Sequence, residues 1–497
     1  MKICKRCTAK SFDLDYILPP ELSEAGCRHA PVTGRCALRR IHRLQHLLLF
    51  LLVIGPTFVG AQERPNLVFI IADDLGWADV EFHGGNTPTP NLNRLRSEGV
   101  ELKQHYVAPV CSPTRAGFLT GRYWSRFGIT TPINNRGLPF ETVTLAKSLG
   151  EAGYSTALIG KWHLGSKAEW GPNHFGFEHS YGSLAGGIAP YNHMYKKGPY
   201  STTWHRNEEL ITEEGHVTDL LTNEAVNWII ERTSAENAEP FFLYVPFTAV
   251  HLPIREPDKW LARVPAEIKG EVPRQYSACI LHLDAAVGRI VDAIDRAGQK
   301  QNTFIVFTSD NGGSTSQNND TKYPDDNCPN GSLPGNNKPL RGQKATLYEG
   351  GIRVPTIARW PGKLKPETQF EPPVCIVDWM PTFCGLAGTS ASAESLNWDG
   401  VNLWPALTGK AQLSKRTLHI TGPGGNRWAI RDSEWKLILT EPQSRDQTRG
   451  PKIELFNLAD DPNESTNLAE TNPDKVSELK ARLNEHRKRD VASHGGL

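Results

Sequence analysis

The sequence predicts an α/β protein in which a large, mixed but mostly parallel β-sheet is sandwiched by helices, with a small antiparallel sheet and a helix at the C-terminus. Short apolar runs rich in β-branched and aromatic residues, typical of strands buried on both faces of a sheet, lie at residues 66–71, 155–159, 241–245 and 303–307. Helical patterns lie between them, at residues 143–152, 217–232 and 277–297. This alternation of β and α segments favours a parallel sheet covered by helices.

The C-terminal part has a different pattern. Short strand-like runs separated by turn residues lie at 416–421, 428–431, 436–440 and 453–456, which indicates a small antiparallel sheet. Asn472 and Pro473 suit the N-cap and first position of a helix that continues to about residue 489. We therefore expect a catalytic α/β domain at residues 62–411 and a C-terminal α+β subdomain at 412–497.

Residues 1–61 are predicted to be a leader that contains a signal peptide. Arg39, Arg40 and Arg43 precede an apolar run at 47–54, and small residues follow at 59–61. A basic segment, a short apolar run and a small-residue cleavage site are typical of export signals, and the run is short for a bilayer span. A buried helix or an uncleaved anchor is the alternative. We expect a periplasmic or extracellular protein, or a lysosomal one if the source is an animal, without stable membrane insertion after cleavage.

Charge and cysteine content narrow the function further. The formal net charge of +1 over 497 residues gives no overall field that would attract nucleic acid. After the leader five cysteines remain, and an odd number in an exported protein leaves at least one thiol outside intramolecular pairing. Cys111 is the candidate for that thiol, and pairing among the other four stays open.

Each apolar run leads into polar residues, at the end of a parallel strand where ligands bind in such sheets. In order along the chain, these residues are Asp73 and Asp74, Lys161 and His163, His251, and Asp310 and Asn311. Lys161 and His163 are two apart, so on an extended segment their side chains would face the same way. A single instance would be ordinary, but the recurrence at four strands predicts a site.

The acidic residues among them predict a metal centre. Asp73 and Asp74 are adjacent carboxylates, which repel each other unless a cation lies between them. With Asp310 and Asn311 they form an all-oxygen set, which favours Ca²⁺ or, less strongly, Mg²⁺ over zinc. The alternative is that both segments are merely tight turns.

The segment Cys111-Ser112-Pro113-Thr114-Arg115 is the most specific pattern. Pro113 suits the first position of a helix with Ser112 as its N-cap, and that helix would end near Gly121. Cys111 would then lie just before a helix N-terminus, a position that favours anions, with Arg115 one turn further on. A buried structural cysteine and a low-pKa thiol nucleophile are the alternatives.

Here the sequence resembles the formylglycine-dependent sulfatases, in particular the branch similar to arylsulfatase B, an N-acetylgalactosamine-4-sulfatase. The resemblance covers nearly everything after residue 64. Its motifs, in chain order, are 65–76, the Cys-x-Pro-x-Arg segment with its continuation to Arg122, 160–165, 246–251, 308–313, 340–344 with 348–355, and 454–464. Val250 departs from the proline that many relatives carry before the histidine. The resemblance implies the alkaline phosphatase-like fold.

The resemblance also implies a function and roles for residues. It implies hydrolysis of sulfate monoesters of carbohydrates or aryl alcohols, with Cys111 oxidised to formylglycine by a maturation enzyme. Asp73, Asp74, Asp310, Asn311 and the modified Cys111 would bind one Ca²⁺. The residues implied to complete the catalytic pocket are Arg115, Lys161, His163, His251 and Lys344. A phosphonate or phosphate ester hydrolase on the same scaffold and a non-catalytic carbohydrate-binding relative are the alternatives.

One loop is a candidate for substrate binding. Residues 170–200 are rich in glycine and aromatic residues and contain His174 and His193. We expect this stretch to line the substrate pocket.

Overall fold

The computed structural model describes residues 64–234, 239–319, 323, 326–442 and 450–491. The predicted leader, with its signal peptide, lies outside the described residues. Within the described part of the chain, no helix is both long enough and apolar enough to span a bilayer.

The described residues form sixteen strands and eleven α-helices, joined by short 3₁₀ turns. The strands are β1 Asn66–Ala72, β2 Val100–Leu102, β3 His105–Tyr106, β4 Ser155–Lys161, β5 His179–Ser183, β6 Trp204–Arg206, β7 Glu209–Leu210, β8 Phe241–Pro246, β9 Thr303–Ser309, β10 Ile357–Arg359, β11 Thr368–Phe370, β12 Val374–Cys375, β13 Thr417–Thr421, β14 Arg427–Asp432, β15 Trp435–Thr440 and β16 Lys452–Asn457. The helices are α1 Pro90–Ser97, α2 Cys111–Thr120, α3 Leu145–Glu151, α4 Val217–Thr233, α5 Asp258–Leu261, α6 Glu271–Arg296, α7 Glu349–Ile352, α8 Trp379–Ala387, α9 Ala393–Leu396, α10 Trp404–Leu407 and α11 Pro473–Arg487.

Ten strands form one mixed sheet in the order β11-β2-β10-β9-β1-β8-β4-β5-β6-β7. Its centre, from β9 to β5, is parallel throughout, and antiparallel pairs lie towards the two edges. The four apolar runs identified in the sequence are β1, β4, β8 and β9, four adjacent strands of this centre. The predicted α/β class is confirmed.

The sheet is covered on both faces because its central strands are apolar on both faces. In β1, Leu67, Phe69 and Ile71 pack in one core, whereas Val68 and Ile70 pack in the other. Every residue of β1, β4, β8 and β9 is buried. Helix α2 belongs to the first layer, and α4 and α6 belong to the second. The sandwich holds the carboxyl ends of these strands in fixed positions.

The predicted C-terminal sheet is also present. Strands β13 to β16 pair in sequence order, all antiparallel, and α11 packs on them through Leu479 and Leu483. One predicted boundary was wrong: α6 begins at Glu271, six residues before the expected start. Pro273 lies in the first turn of α6, where the helix does not need its N–H, so the proline does not delay the start.

Candidate active site

Adjacent strands deliver the predicted residues to one edge of the sheet. Asp73 directly follows β1, Asp310 directly follows β9, and Lys161 is the last residue of β4. Strand β8 lies between β1 and β4, and His251 follows it by five residues. The carboxyl ends of parallel strands point in the same direction, so these side chains meet where ligands bind in such sheets.

Helix α2 brings Cys111 to the same place. All ten of its residues are buried, and Cys111 is a free thiol that is 2% exposed. The helix ends at Gly121 in a left-handed conformation (φ 64°), as expected. Thr114 donates a hydrogen bond from its hydroxyl to the carbonyl of Asp310, 2.6 Å away, which ties the helix to the end of β9.

The role predicted for Ser112 was wrong. The helix begins at Cys111, so its N-cap is Val110, which makes no side-chain capping bond. The Ser112 hydroxyl instead donates to the carbonyl of His163 at 2.8 Å and accepts from the amide of Ile133 at 3.1 Å. These bonds outcompete the cap because they satisfy backbone groups of two neighbouring loops. Cys111 therefore lies in the first turn of the helix, whose N–H groups have no side-chain cap.

The acidic residues are each paired with a cation. Lys161 Nζ lies 2.5 Å from Asp73 Oδ2, and Lys344 Nζ lies 2.7 Å from Asp74 Oδ2. Arg115, fully buried, donates to Asp310 Oδ2 at 2.8 Å and to the carbonyl of Lys161 at 2.7 Å. The structure thus brings the predicted aspartates, lysines and arginine into one buried network.

The two adjacent aspartates differ in their affinity for a proton. Burial, together with the charge of Asp310, raises the pKa of Asp73 to about 8 even though Lys161 is close. Burial also acts on Asp74, but Lys344 and His251 outweigh it and lower its pKa to about 2. The protein's own cations therefore do not fully offset the negative charge of the cluster.

The unpaired oxygen atoms of the cluster fit a bound cation. Asp73 Oδ1 and Asn311 Oδ1 are buried and have no hydrogen-bond partner among the described residues. Ligand atoms of Asp73, Cys111 and Asp310 lie within 4.8 Å of one another, as do those of Asp73, Asp74 and His251. Buried polar atoms without partners are rare, and in an acidic cluster a bound ion commonly accounts for them. The residues present therefore fit a divalent metal ion.

The histidines face a cavity on the open side of the cluster. His163, His251, Cys111 and Lys344 all line it. Burial and the neighbouring cations hold the pKa of His163 and of His251 well below the usual range, so both rings are neutral. Burial also raises the pKa of the Cys111 thiol, which argues against the low-pKa thiol nucleophile.

The conformation expected for the segment from Lys161 to His163 was partly wrong. Strand β4 ends at Lys161, and His163 has a left-handed backbone with φ 56°. A non-glycine residue in this conformation is uncommon and is found at functional sites. The turn directs His163 into the cavity while Lys161 stays in the acidic network.

The loop expected to line the pocket does so, but not through its histidines. Gly186, Tyr195 and Lys196 line the cavity. His193 instead stacks on Trp204 and donates from Nε2 to the carbonyl of Gly215 at 3.0 Å, and His174 lies against Phe140. The sequence pattern located the loop, but the composition of a glycine-rich stretch does not indicate in which direction its histidine side chains point. The remaining cavity-lining residues that the sequence did not indicate are Pro132, Leu252, Gln317, Asn318 and Tyr323.

Comparison with known proteins defines the class. The sulfatase family model matches residues 65–389, and the model for the C-terminal part of N-sulphoglucosamine sulphohydrolase matches residues 342–489. The chain therefore belongs to the sulfatase family, whose members are sulfuric ester hydrolases, and the resemblance seen in the sequence is confirmed.

Particular relatives support the assignment. The chain is 31% identical to mouse arylsulfatase J over 477 residues, which cover 86% of this chain and 76% of that protein. It is 32% identical to mouse N-acetylgalactosamine-6-sulfatase over 396 residues, 75% of this chain and 72% of the relative. The solved structure of Ps i-CgsB superposes with a TM-score of 0.76 at 30% identity, covering 87% of this chain and 95% of that one. A phosphonate monoester hydrolase shares the fold at 18% identity and a TM-score of 0.60.

Proposed function

We propose that the protein hydrolyses sulfate monoesters of carbohydrates or aryl alcohols with a formylglycine made from Cys111, beside a bound Ca²⁺. The observation that carries this proposal is the position of Cys111. It lies in the uncapped first turn of α2, within ligand distance of Asp73 and Asp310. No other described cysteine lines the same cavity.

Four side chains would hold the metal, and the modified Cys111 would be a fifth ligand. Asp73, Asp74, Asp310 and Asn311 offer oxygen atoms, which hard cations prefer, and Ca²⁺ is favoured over Mg²⁺ because it accepts irregular sets of carboxylate and amide oxygens. When bound, the cation would lower the pKa of the attacking hydroxyl and screen the repulsion between nucleophile and sulfate. The two orphaned oxygen atoms support this assignment.

The cations around the cluster would stabilise the sulfate group. Lys344 is 10% exposed and lines the cavity, so its ammonium can reach the ester. Lys161 and Arg115 lie deeper, where they offset the charge of Asp73 and Asp310 and hold their carboxylates in position. Preorganised positive charge of this kind acts most strongly in the transition state, when charge builds up on oxygen.

The neutral histidines would move protons. The hydrate of formylglycine would supply one hydroxyl that attacks sulfur and a second whose deprotonation releases sulfate and restores the aldehyde. His163 would accept that second proton, because its lowered pKa keeps the ring free to act as a base. The ammonium of Lys344, or His251 once it has taken up a proton beside Asp74, 3.9 Å away, would protonate the leaving oxygen.

The proposed substrate is a sulfated saccharide, with aryl sulfates as surrogates. Tyr195, Tyr323 and Lys196 line the cavity, which suits a sugar ring that carries negative charge. Export to the periplasm or outside the cell, or to the lysosome in an animal, would place the enzyme where such saccharides occur. A formylglycine-generating enzyme would be its maturation partner.

The direct test compares the rates at which the matured protein hydrolyses sulfate, phosphate and phosphonate esters that share the nitrophenyl leaving group. We expect nitrophenyl sulfate to be turned over faster than nitrophenyl phosphate or a nitrophenyl phosphonate. We also expect a Cys111→Ala variant to lose all three activities. A clear preference for the phosphonate would indicate a phosphonate hydrolase instead of a sulfatase. Turnover that survives Cys111→Ala would contradict the assignment of Cys111 as the source of the nucleophile.

A further inference from the structure

A second cluster of metal-ligating side chains lies outside the catalytic network. His216 is the residue before α4, Glu256 follows β8 in the chain, and Cys279 and His282 are on α6. Ligand atoms of His216, Glu256 and His282 all lie within 4.8 Å of one another. His216, Glu256 and Cys279 line a small cavity whose other wall includes His251. The proposed reaction uses none of the four cluster residues.

The spacing of the ligand atoms is close to that of a tetrahedral zinc site. His282 Nδ1 lies 2.7 Å from Glu256 Oε2, and His216 Nε2 lies 3.6 Å from Glu256 Oε1. Zinc bonds of about 2.0–2.3 Å place neighbouring ligands roughly 3.3–3.8 Å apart in a tetrahedron. The thiol of Cys279, which is 4% exposed, donates to the Glu256 carboxylate. The ligand atoms of His216, Glu256 and His282 already lie within 4.8 Å of one another, and Cys279 completes the set once its Sγ moves towards the two imidazoles.

One ligand atom in the cluster is unpaired. Nε2 of His216 is buried and has no hydrogen-bond partner among the described residues. On the other side of the ring, Nδ1 accepts a hydrogen bond from the amide of Thr218 at 3.3 Å, and the ring also contacts the carbonyl of Arg255. Zinc binding at Nε2 would move the ring proton to Nδ1, where the carbonyl of Arg255 can accept it in place of the Thr218 contact. Nε2 would then present its lone pair to the cluster.

A carboxylate outside the cluster orients one of the histidines. His282 Nε2 lies 3.1 Å from Asp219 Oδ1. A metal-binding imidazole commonly donates its other N–H to a carboxylate, which fixes the tautomer and raises the basicity of the ligand atom. Trp260 stacks on the same ring, with 4.7 Å between the ring centroids. Nδ1 of His282 is thereby held towards Glu256.

We infer that His216, Glu256, Cys279 and His282 form a closed zinc site, distinct from the proposed calcium centre. Two imidazoles, a thiolate and a carboxylate are borderline-soft donors that zinc prefers, whereas the all-oxygen active site suits a hard cation. Binding releases two protons, one from the Cys279 thiol and one from Nδ1 of His282. Four protein ligands leave no open position, so this zinc has a structural role.

The zinc would fix the segment that carries His251. It would join the start of α4, the middle of α6 and the loop at residues 247–257, which contains both His251 and Glu256. The inference does not depend on the proposed reaction, because its tests report metal binding rather than turnover.

The first test measures metal in the full-length protein from its native host. We expect close to one zinc per chain by elemental mass spectrometry, and loss of that zinc in His216→Gln. His193→Gln is the matched control, since His193 is equally buried but lies outside the cluster, and it should retain zinc. Wild-type protein without zinc, or His216→Gln with unchanged zinc, would overturn the inference.

The second test identifies the thiolate ligand. Co²⁺ added to metal-stripped protein should give a thiolate-to-cobalt charge-transfer band that persists in Cys111→Ala and disappears in Cys279→Ala. A band that instead disappears with Cys111 would assign the ion to the active site. Anomalous diffraction at the zinc edge from wild-type crystals needs no variant, so a misfolded mutant would not leave the question undecided. A peak beside Glu256 supports the site, and its absence there refutes it.

Discussion

Charge imbalance is the main property of the active site at the scale of single residues. Asp73 and Asp74 are neighbours in sequence, yet burial raises the pKa of the first to about 8 and Lys344 and His251 lower that of the second to about 2. Both lie among fixed cations that cancel only part of the negative charge. A divalent ion between their carboxylates would remove this difference, because it favours the ionised form of each.

Replacing Lys344 by alanine should slow catalysis far more than it weakens the fold. The variant loses the ion pair between Lys344 and Asp74. It also loses a positive charge at the cavity, since Lys344 lines the cavity and Lys161 does not. Loss of one preorganised charge at a transition state typically costs about 100- to 1000-fold in kcat. Steady-state kinetics with nitrophenyl sulfate would measure this loss. Lys363→Ala, at an exposed lysine, is the control, and equal rates in the two variants would refute the role of Lys344.

The sequence predicted which residues meet in this cluster better than it predicted their conformations. Asp73, Lys161 and Asp310 could be found because each ends an apolar strand. The hydroxyl of Ser112 and the left-handed backbone of His163 could not, since both depend on loops that are distant in sequence. In the sequence, a Ser-Pro pair is as compatible with an N-cap as with hydrogen bonds to distant loops. Only the folded chain shows which backbone groups the hydroxyl satisfies.

Among the elements, the close approach of the loop after β5 to the His163 ring, beside the cavity, is the critical feature. Gly186 lies just after β5, and a Cβ built on it would be 2.2 Å from Nε2 of His163. The loop after β5 therefore packs directly on the imidazole, and no larger residue fits without moving it.

We expect Gly186→Ala to abolish most activity while leaving the fold intact. The added methyl group must displace the His163 ring, and small displacements of a catalytic group cost about 100-fold in rate. Gly150→Ala is the matched control, because its Cβ would meet nothing within 4 Å and an alanine in helix α3 favours the helix. Turnover and circular dichroism of both variants test this, and full activity in Gly186→Ala would contradict the position of His163.

Elements were predictable where their patterns are local. Strands β1, β4, β8 and β9 begin at the residues that the sequence indicated, because continuous apolar runs have few other interpretations. The start of α6 was missed because Pro273 resembles a helix boundary. For the loop after β5 the sequence indicated the stretch but not the individual residues that line the cavity, because those residues contact parts of the chain that are distant in sequence.

For the whole molecule, the C-terminal sheet supports the segment that carries Lys344. Lys436 of β15 is buried between Glu349 and Glu464, with its Nζ at 2.8 and 2.7 Å from their oxygen atoms. Glu464 also accepts from the amide of Glu349 at 2.6 Å, five residues after Lys344. The C-terminal sheet thus helps to hold the segment that follows Lys344. The division between the two predicted domains at residue 412 stays a prediction.

Lys436→Met should strongly destabilise the protein. Removal of the lysine leaves the buried Glu464 without its cation and Glu349 with the more distant Arg353, 3.6 Å away. Breaking a buried pair costs about 3–5 kcal/mol. Lys452→Met is the control, because Lys452 is 64% exposed and its ion pair with Glu454 is worth at most about 1 kcal/mol. Urea denaturation of both variants compares the two losses. Equal midpoints would show that the buried network does not stabilise the fold.

In the proposed mechanism, Cys111 becomes the nucleophile through oxidation to formylglycine. This is tested by the mass of the peptide that contains Cys111, taken from active protein made in its native host. We expect a peptide about 18 Da lighter than the cysteine form, because the thiol becomes an aldehyde rather than one of the usual oxygen adducts of cysteine. An unmodified cysteine in fully active protein would contradict it.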